Sequence, residues 1–277
     1  MVAILLCRTT GLGAAEAAAD SARLDLSSEY VGRATVKNLD ASAALTAHRV
    51  EWEWLFLLFA YDHFRYDWRT RAETDAAPWG SLHRVAPGLQ YLQALQDSWG
   101  VWIKAIGIAG FEDSVAARSW TAHPQVLFFN HVTDGPTLYA GAGTLYHSVD
   151  SVFYPIMGVA WTSPTGLGFS GALGFPETLI RYRFNERYAV KADFEWDIHL
   201  YRLADDNARA PGGFLRTEDR IPGLYFEYRP TRGLTLSPGV RWHLGRSVTL
   251  YDRDEDKIRS SRVDGAWSAI MNVEYRF

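Results

Sequence analysis

With 277 residues, 48% of them hydrophobic and 14% aromatic, the chain is too apolar to be disordered and too short to require several domains. A formal net charge of −4 gives no basic surface for nucleic acid, and the single Cys7 excludes an internal disulfide or a multi-thiolate metal site. The longest apolar run, 54–61, is far below the roughly 18 residues of a spanning helix; eleven Trp with fourteen each of Tyr and Phe are instead the compositional trace of a membrane girdle.

In chain order, residues 1–19 read as a truncated secretory signal peptide: a short apolar core, then a Gly/Ala-rich stretch with Ala-x-Ala sites at 15–17 and 17–19, without the basic leader. Leu6 stands where a small residue would precede a lipidated Cys7, which disfavours a lipoprotein. The mature domain then spans 20–277. Strands are predicted over 24–36, 44–54, 55–68, 82–95, 101–111, 125–132, 137–147, 152–162, 167–174 and 178–184. The clearest follows at 189–203, where Val190, Ala192, Phe194, Trp196, Ile198 and Leu200 alternate with Lys191, Asp193, Glu195, Asp197, His199 and Tyr201. One face suits lipid and the other suits water. After a strand at 220–229, Leu234 to Leu244 alternates in the same way, with Val248 and Leu250 keeping the lipid parity and Arg246 as its one break. The last strand, 266–277, sets Trp267, Ala269, Met271, Val273, Tyr275 and Phe277 on one face, and Tyr275 and the terminal Phe277 resemble the assembly signal of outer-membrane barrels.

These strands number fourteen, or twelve if the unmarked Trp54/Leu55 junction is one bent strand and another pair merges. Tight turns at 96–98, 134–135, 163–166, 185–186 and 230–233 all fall on one side of the predicted meander. Longer polar segments at 69–80, 112–123, 204–218 and 252–264 fall on the other. The expectation is an all-β fold, a closed antiparallel transmembrane β-barrel with short periplasmic turns and longer extracellular loops, in the outer membrane of a Gram-negative bacterium.

The segments Phe153-Tyr154-Pro155-Ile156-Met157-Gly158, Ile180 to Asn185, Phe226 to Arg229 and Glu274 to Phe277 resemble an uncharacterised family of bacterial outer-membrane β-barrels known only as a domain of unknown function. The resemblance covers the C-terminal half and rests on motifs generic to barrels. It implies location and fold and carries no established activity.

Alternation directs Arg49, Glu51, Glu53, Arg84, Lys104, Arg181, Arg183, Lys191, Asp193, Glu195, Asp197, His199, Glu227, Arg229, Arg241, His243, Glu274 and Arg276 into the lumen. Such a set either pairs off as an interior ion network or lines a water-filled path, with the acids of 191–197 expected to pair with Arg181 and Arg183 on the neighbouring strand. Two functions follow: a narrow channel for small solutes or ions, or a plugged structural or surface barrel. A third, hydrolytic reading rests on Asn130-His131-Val132-Thr133-Asp134-Gly135, which resembles the Asn-His-x-Ser-Asn-Gly motif of outer-membrane phospholipase A, with His131 as base and Thr133 as nucleophile. Thr for Ser and Asp for Asn weaken that match, and Asp-Gly is itself a hairpin signal. The chain is therefore read as non-enzymatic. No metal and no cofactor are expected; the expected partners are outer-membrane lipids, the barrel-assembly machinery at the C-terminal strand and small solutes.

Overall fold

The computed structural model describes residues 22–277 except 38, 40, 71–76, 97 and 134, so the proposed signal peptide lies outside the described residues. Period-two alternation is realised as strands throughout: β1 (Arg23–Val36), β2 (Ala41–Trp54), β3 (Leu57–Thr70), β4 (Ser81–Gln96), β5 (Trp99–Phe111), β6 (Trp120–His131), β7 (Thr137–Leu145) and β8 (Val152–Trp161). They continue as β9 (Gly168–Phe175), β10 (Glu177–Arg183), β11 (Tyr188–Arg202), β12 (Phe214–Tyr228), β13 (Leu234–Tyr251), β14 (Lys257–Arg262) and β15 (Ala266–Arg276). β14 and β15 are one stave, since both pair with β13 in an unbroken register, Ser247 with Arg262 and His243 with Ala266. The result is a closed antiparallel fourteen-stranded barrel, sealed between β1 and β15 from Arg23↔Arg276 to Val31↔Ser268.

The unmarked junction at Trp54 is a two-residue hairpin turn. Leu55 takes φ 52°, and Trp54 pairs directly with Leu57, which decides fourteen strands over twelve. Three of the expected extracellular loops are shorter than predicted, because Trp120–His131, Phe214–Tyr228 and Lys257–Arg262 are strands. Their polar residues read as loop, yet the backbone ladder still needs partners at this height.

Large apolar side chains point outward around the barrel, among them Phe153 at 75%, Phe169 at 63% and Trp267 at 62% exposure. So many exposed large apolar side chains belong to a protein solvated by hydrocarbon. Aromatic pairs mark its borders: Phe169, Tyr182 and Phe184 pack edge to face near one end, and Trp242 stacks on Trp267 at 5.0 Å near the other. The protein is thus a transmembrane barrel of the Gram-negative outer membrane, with the Arg23–Arg276 end and the short turns on the periplasmic side.

The wall forks at β11. Its lower half pairs with β10 from Glu177↔Glu195 to Arg183↔Ala189, but above Glu195 it leaves β10 and crosses to β5. There Arg202 bridges Phe111 in parallel, and Glu112 N donates to Arg202 O at 2.9 Å. The short strands β6 to β10 end below this crossing, so at the extracellular end β11 to β15 and β1 to β5 close on themselves. Trp196, Ile198 and Leu200, expected to face lipid, consequently face the lobe enclosed by β5 to β10.

A second correction concerns Val248 and Leu250, which point into the barrel core. Gly245 adopts φ 59° where the β12–β13 register slips, and this bulge inverts the parity of everything above it. Arg246 therefore breaks no lipid face, since it points inward to Asp219 at 3.0 Å.

The crossing depends on Gly110, where an added Cβ would lie 2.0 Å from Leu200 O, a backbone atom that cannot swing aside. Gly110→Val is expected to cost about 1 to 3 kcal/mol through overpacking. The check is a lowered urea midpoint for loss of heat-modifiable electrophoretic mobility.

Candidate functional site: an ion-lined chamber beneath an apolar lid

Three interior regions follow from which residues alternate inward on which strands. On the β5–β10 side, Trp102, Leu127, Tyr139, Tyr154, Ile156, Ala160, Ala172 and Leu179 form an apolar lobe with Trp196 packed against them, and His123 and Gln125 hydrogen-bond to Tyr154 within it. The remaining interior, lined mainly from β1 to β4 and β10 to β15 with Lys104 of β5 and His123 of β6, is a charge-bearing chamber of about 650 Å³. Its lining runs from periplasmic turn residues Ser163 and Gly166 up to Trp79.

The extracellular end is closed by a third region. Tyr66 and Trp68 of β3, Tyr201 of β11, Leu215 of β12 and Leu250 of β13 meet two folded-in loops that contribute Trp79, Leu203 and Ala210. Trp79 is 2% exposed and packs edge to face on Trp68 at 4.9 Å, whose Nε1 donates to Trp79 O at 2.6 Å. Asn207 ties the two loops together: its Nδ2 donates to Pro78 O at 2.7 Å and to Glu112 Oε2 at 2.9 Å, while its Oδ1 accepts from the N–H groups of Arg209 and Ala210. At the rim outside the membrane, Glu255 accepts from Ser148 Oγ at 2.7 Å and from Arg118; these bonds hold its carboxyl below the usual glutamate range.

Every residue that alternation directs inward lines the chamber, from Arg49, Glu51 and Glu53 on β2 to Glu274 and Arg276 at the C-terminal strand. Their partners differ from expectation. Register sets Arg181 opposite Lys191 and Arg183 opposite Ala189, so neither pairs with the acids of β11. Arg181 instead reaches Glu227 two strands away at 2.8 Å. Lys191 pairs with Asp193 at 3.1 Å and sits 3.9 Å over the Tyr225 ring. Glu195 is taken by Arg241 and Asp197 by His199 at 2.7 Å. Lys104 lies 5.7 Å over Trp102, and Glu53 and Glu51 face Arg23 at 3.5 and 3.9 Å.

The periplasmic mouth is arginine-rich. Arg181, Arg183, Arg229 and Arg276 are electrostatic neighbours there, accompanied by Glu227 and Glu274. Among the described residues no carboxylate lies within ion-pair distance of Arg183 or Arg229. Higher up, acids predominate.

Several members of the network escaped the alternation reading. Asp62, 1% exposed, is held by Arg49 at 2.7 Å and by Arg84, directly across from it on the two flanking strands. The charges of β3 fall mostly on the other parity, His63, Arg65, Asp67 and Arg69, which hides Asp62; the Arg49–Asp62–Arg84 row becomes visible only with the register. Glu29 accepts from Arg241 at 3.3 Å, from His243 at 3.0 Å and from Ser268, and His243 also meets Asp219 at 2.6 Å. Such rows satisfy charges that could not face lipid.

His131 does not engage Thr133. Its Nδ1 lies 3.0 Å from Thr137 Oγ1 at the periplasmic end of β6, so the hydrolase pair is not assembled there, and Asp134 lies outside the described residues. Tyr275 and Phe277 stack edge to face at 4.7 Å on the outer surface of the closing strand.

No protein-family model and no curated protein matches the chain. Among solved structures, an outer membrane channel from Pseudomonas putida F1 aligns over 93% of this chain and 96% of its own at 8% identity, TM-score 0.45. The NanC porin aligns over 91% and 98% at 11% identity, TM-score 0.39, and the Pseudomonas putida toluene transporter TodX over 92% and 89% at 10% identity, TM-score 0.30. A functional reading rests on this chain's own side chains.

Proposed function

We propose that this barrel is a narrow channel for small polar or ionic solutes, shut at its extracellular end by the Trp79 lid. The observation that carries this is the chamber of about 650 Å³, which runs from the periplasmic rim to the underside of Trp79 and is lined by charges of both signs. A cavity of this size accommodates a small molecule. Its alternating charges suit a hydrated solute better than a hydrophobic one.

The apolar lobe under β5 to β10 favours the second reading, a plugged structural barrel, because it removes part of the lumen that fourteen strands enclose. Conductance in planar bilayers separates the two. A channel gives discrete openings, and Arg181→Ala with Arg183→Ala moves its ion preference toward cations by stripping charge from the periplasmic mouth. A silent bilayer from both proteins and from lid variants, with insertion confirmed, overturns the channel and leaves the plugged barrel.

The apolar belt is proposed to contact outer-membrane lipid directly, and Tyr275 and Phe277 to present the closing strand to the assembly machinery.

A further inference from the structure

The outward face of β2 to β4 carries a feature that neither the chamber nor the belt uses. His48, His63 and His83 stand directly opposite one another on three adjacent strands. Their rings are stacked, His48 on His63 at 6.4 Å and 23°, and His63 on His83 at 4.8 Å and 16°. The outward cross-strand rows beneath are apolar or aromatic, Leu26–Val50–Tyr61–Val85 and Leu24–Trp52–Phe59–Pro87. The rows above turn polar beyond the border aromatic Tyr30: Tyr30–Thr46–Arg65–Ser81, and then Asp67, paired with Arg33. The histidine row therefore marks the extracellular border of the belt, at the level of outer-leaflet headgroups.

Three like residues directly opposite one another repel when protonated. Arg65, one row higher, adds permanent positive charge beside His63. The other neighbours offer no carboxylate to the row: Ser28 from β1, Tyr61 from β3 and Phe111 from β5. Tyr61 Oη lies 2.9 Å from His83 Nδ1, which leaves His83 Nε2 as the outward nitrogen. The arrangement does not suit a metal, because among the described residues no group of three His, Cys, Asp or Glu has metal-binding geometry. It suits an oxyanion, whose several acceptor oxygens can bridge imidazolium and guanidinium donors.

We infer that His48, His63 and His83, with Arg65, form an acid-strengthened docking surface for phosphate groups of the anionic glycolipid of the outer leaflet. The headgroup lies where the row lies, and protonation turns mutual repulsion into a joint attraction for the bridging phosphate. Without that added charge, Arg65 is the one permanent cation the row offers the lipid.

The test uses the full-length barrel in phosphatidylcholine nanodiscs, with and without a diphosphorylated glycolipid, at about pH 5.5 and about pH 7.5. The phosphorylated lipid should raise the thermal midpoint by roughly 4 °C at the lower pH and by much less at the higher. The gain should vanish in a His48→Gln, His63→Gln, His83→Gln variant; His63→Gln alone keeps the test available if the triple variant does not refold, and should lose most of the gain. Equal gains in wild type and variants, or a gain independent of pH, overturn the proposal. So does the same gain from the dephosphorylated glycolipid, or from inorganic phosphate without glycolipid, which would make the ligand a sugar or a free anion.

Discussion

Replacing Trp79 by alanine is expected to turn a barrel that is closed at rest into one that conducts steadily, the largest functional change any single residue here should produce. Trp79 fills the space between β3, β11 and β13, and no other side chain of its loop enters that cluster among the described residues. Removing a buried Trp also costs about 3 to 5 kcal/mol, so lost folding must be separated from an opened gate. Asn207→Ala does this: it removes the bonds to Pro78 O and Glu112 while leaving the apolar packing in place. A larger open probability in both variants, with heat-modifiable mobility retained in N207A, supports the lid. Unchanged conductance in two well-inserted variants would show that the extracellular closure is not the barrier.

The second large effect is thermodynamic. Asp62→Ala should destabilise the barrel by about 3 to 5 kcal/mol, because it leaves the Arg49 and Arg84 guanidiniums facing each other across an interior with their shared carboxylate gone. The loss comes from stranded charge more than from the pair's net worth. The combined Asp62→Leu, Arg49→Met, Arg84→Met variant should therefore recover most of it. Urea midpoints for refolding into lipid vesicles check both, and a triple variant no better than Asp62→Ala would refute the stranded-charge account. Arg84 also meets His199 Nδ1 at 2.9 Å, so its removal disturbs the His199–Asp197 pair, and recovery should fall short of complete.

Much of the fold was legible because a period of two is a local property. Val190 to Leu200 against Lys191 to His199 needs only the residues themselves to show two faces, and the turns after Thr162, Phe184 and Arg229 carry their own Gly, Pro or Asn. The Leu55–Phe56 turn was opaque for the converse reason. It is made of two apolar residues, one held at φ 52°, and no residue type announces that conformation.

What the chain alone decided is therefore the class of solvent on each face: an apolar exterior, a charged interior and an aromatic border follow from which side chains fall at alternate positions. What needed the assembled barrel is everything that depends on register and on strands far apart in sequence. Gly245 inverts the parity of Val248 and Leu250, and β11 abandons β10 for β5 and carries Trp196, Ile198 and Leu200 from the expected lipid face to the inside. Arg181 passes over its own neighbour to reach Glu227. A lid built from β3, two loops and Asn207 joins residues more than a hundred positions apart, and such packing free energy has no local periodicity to read.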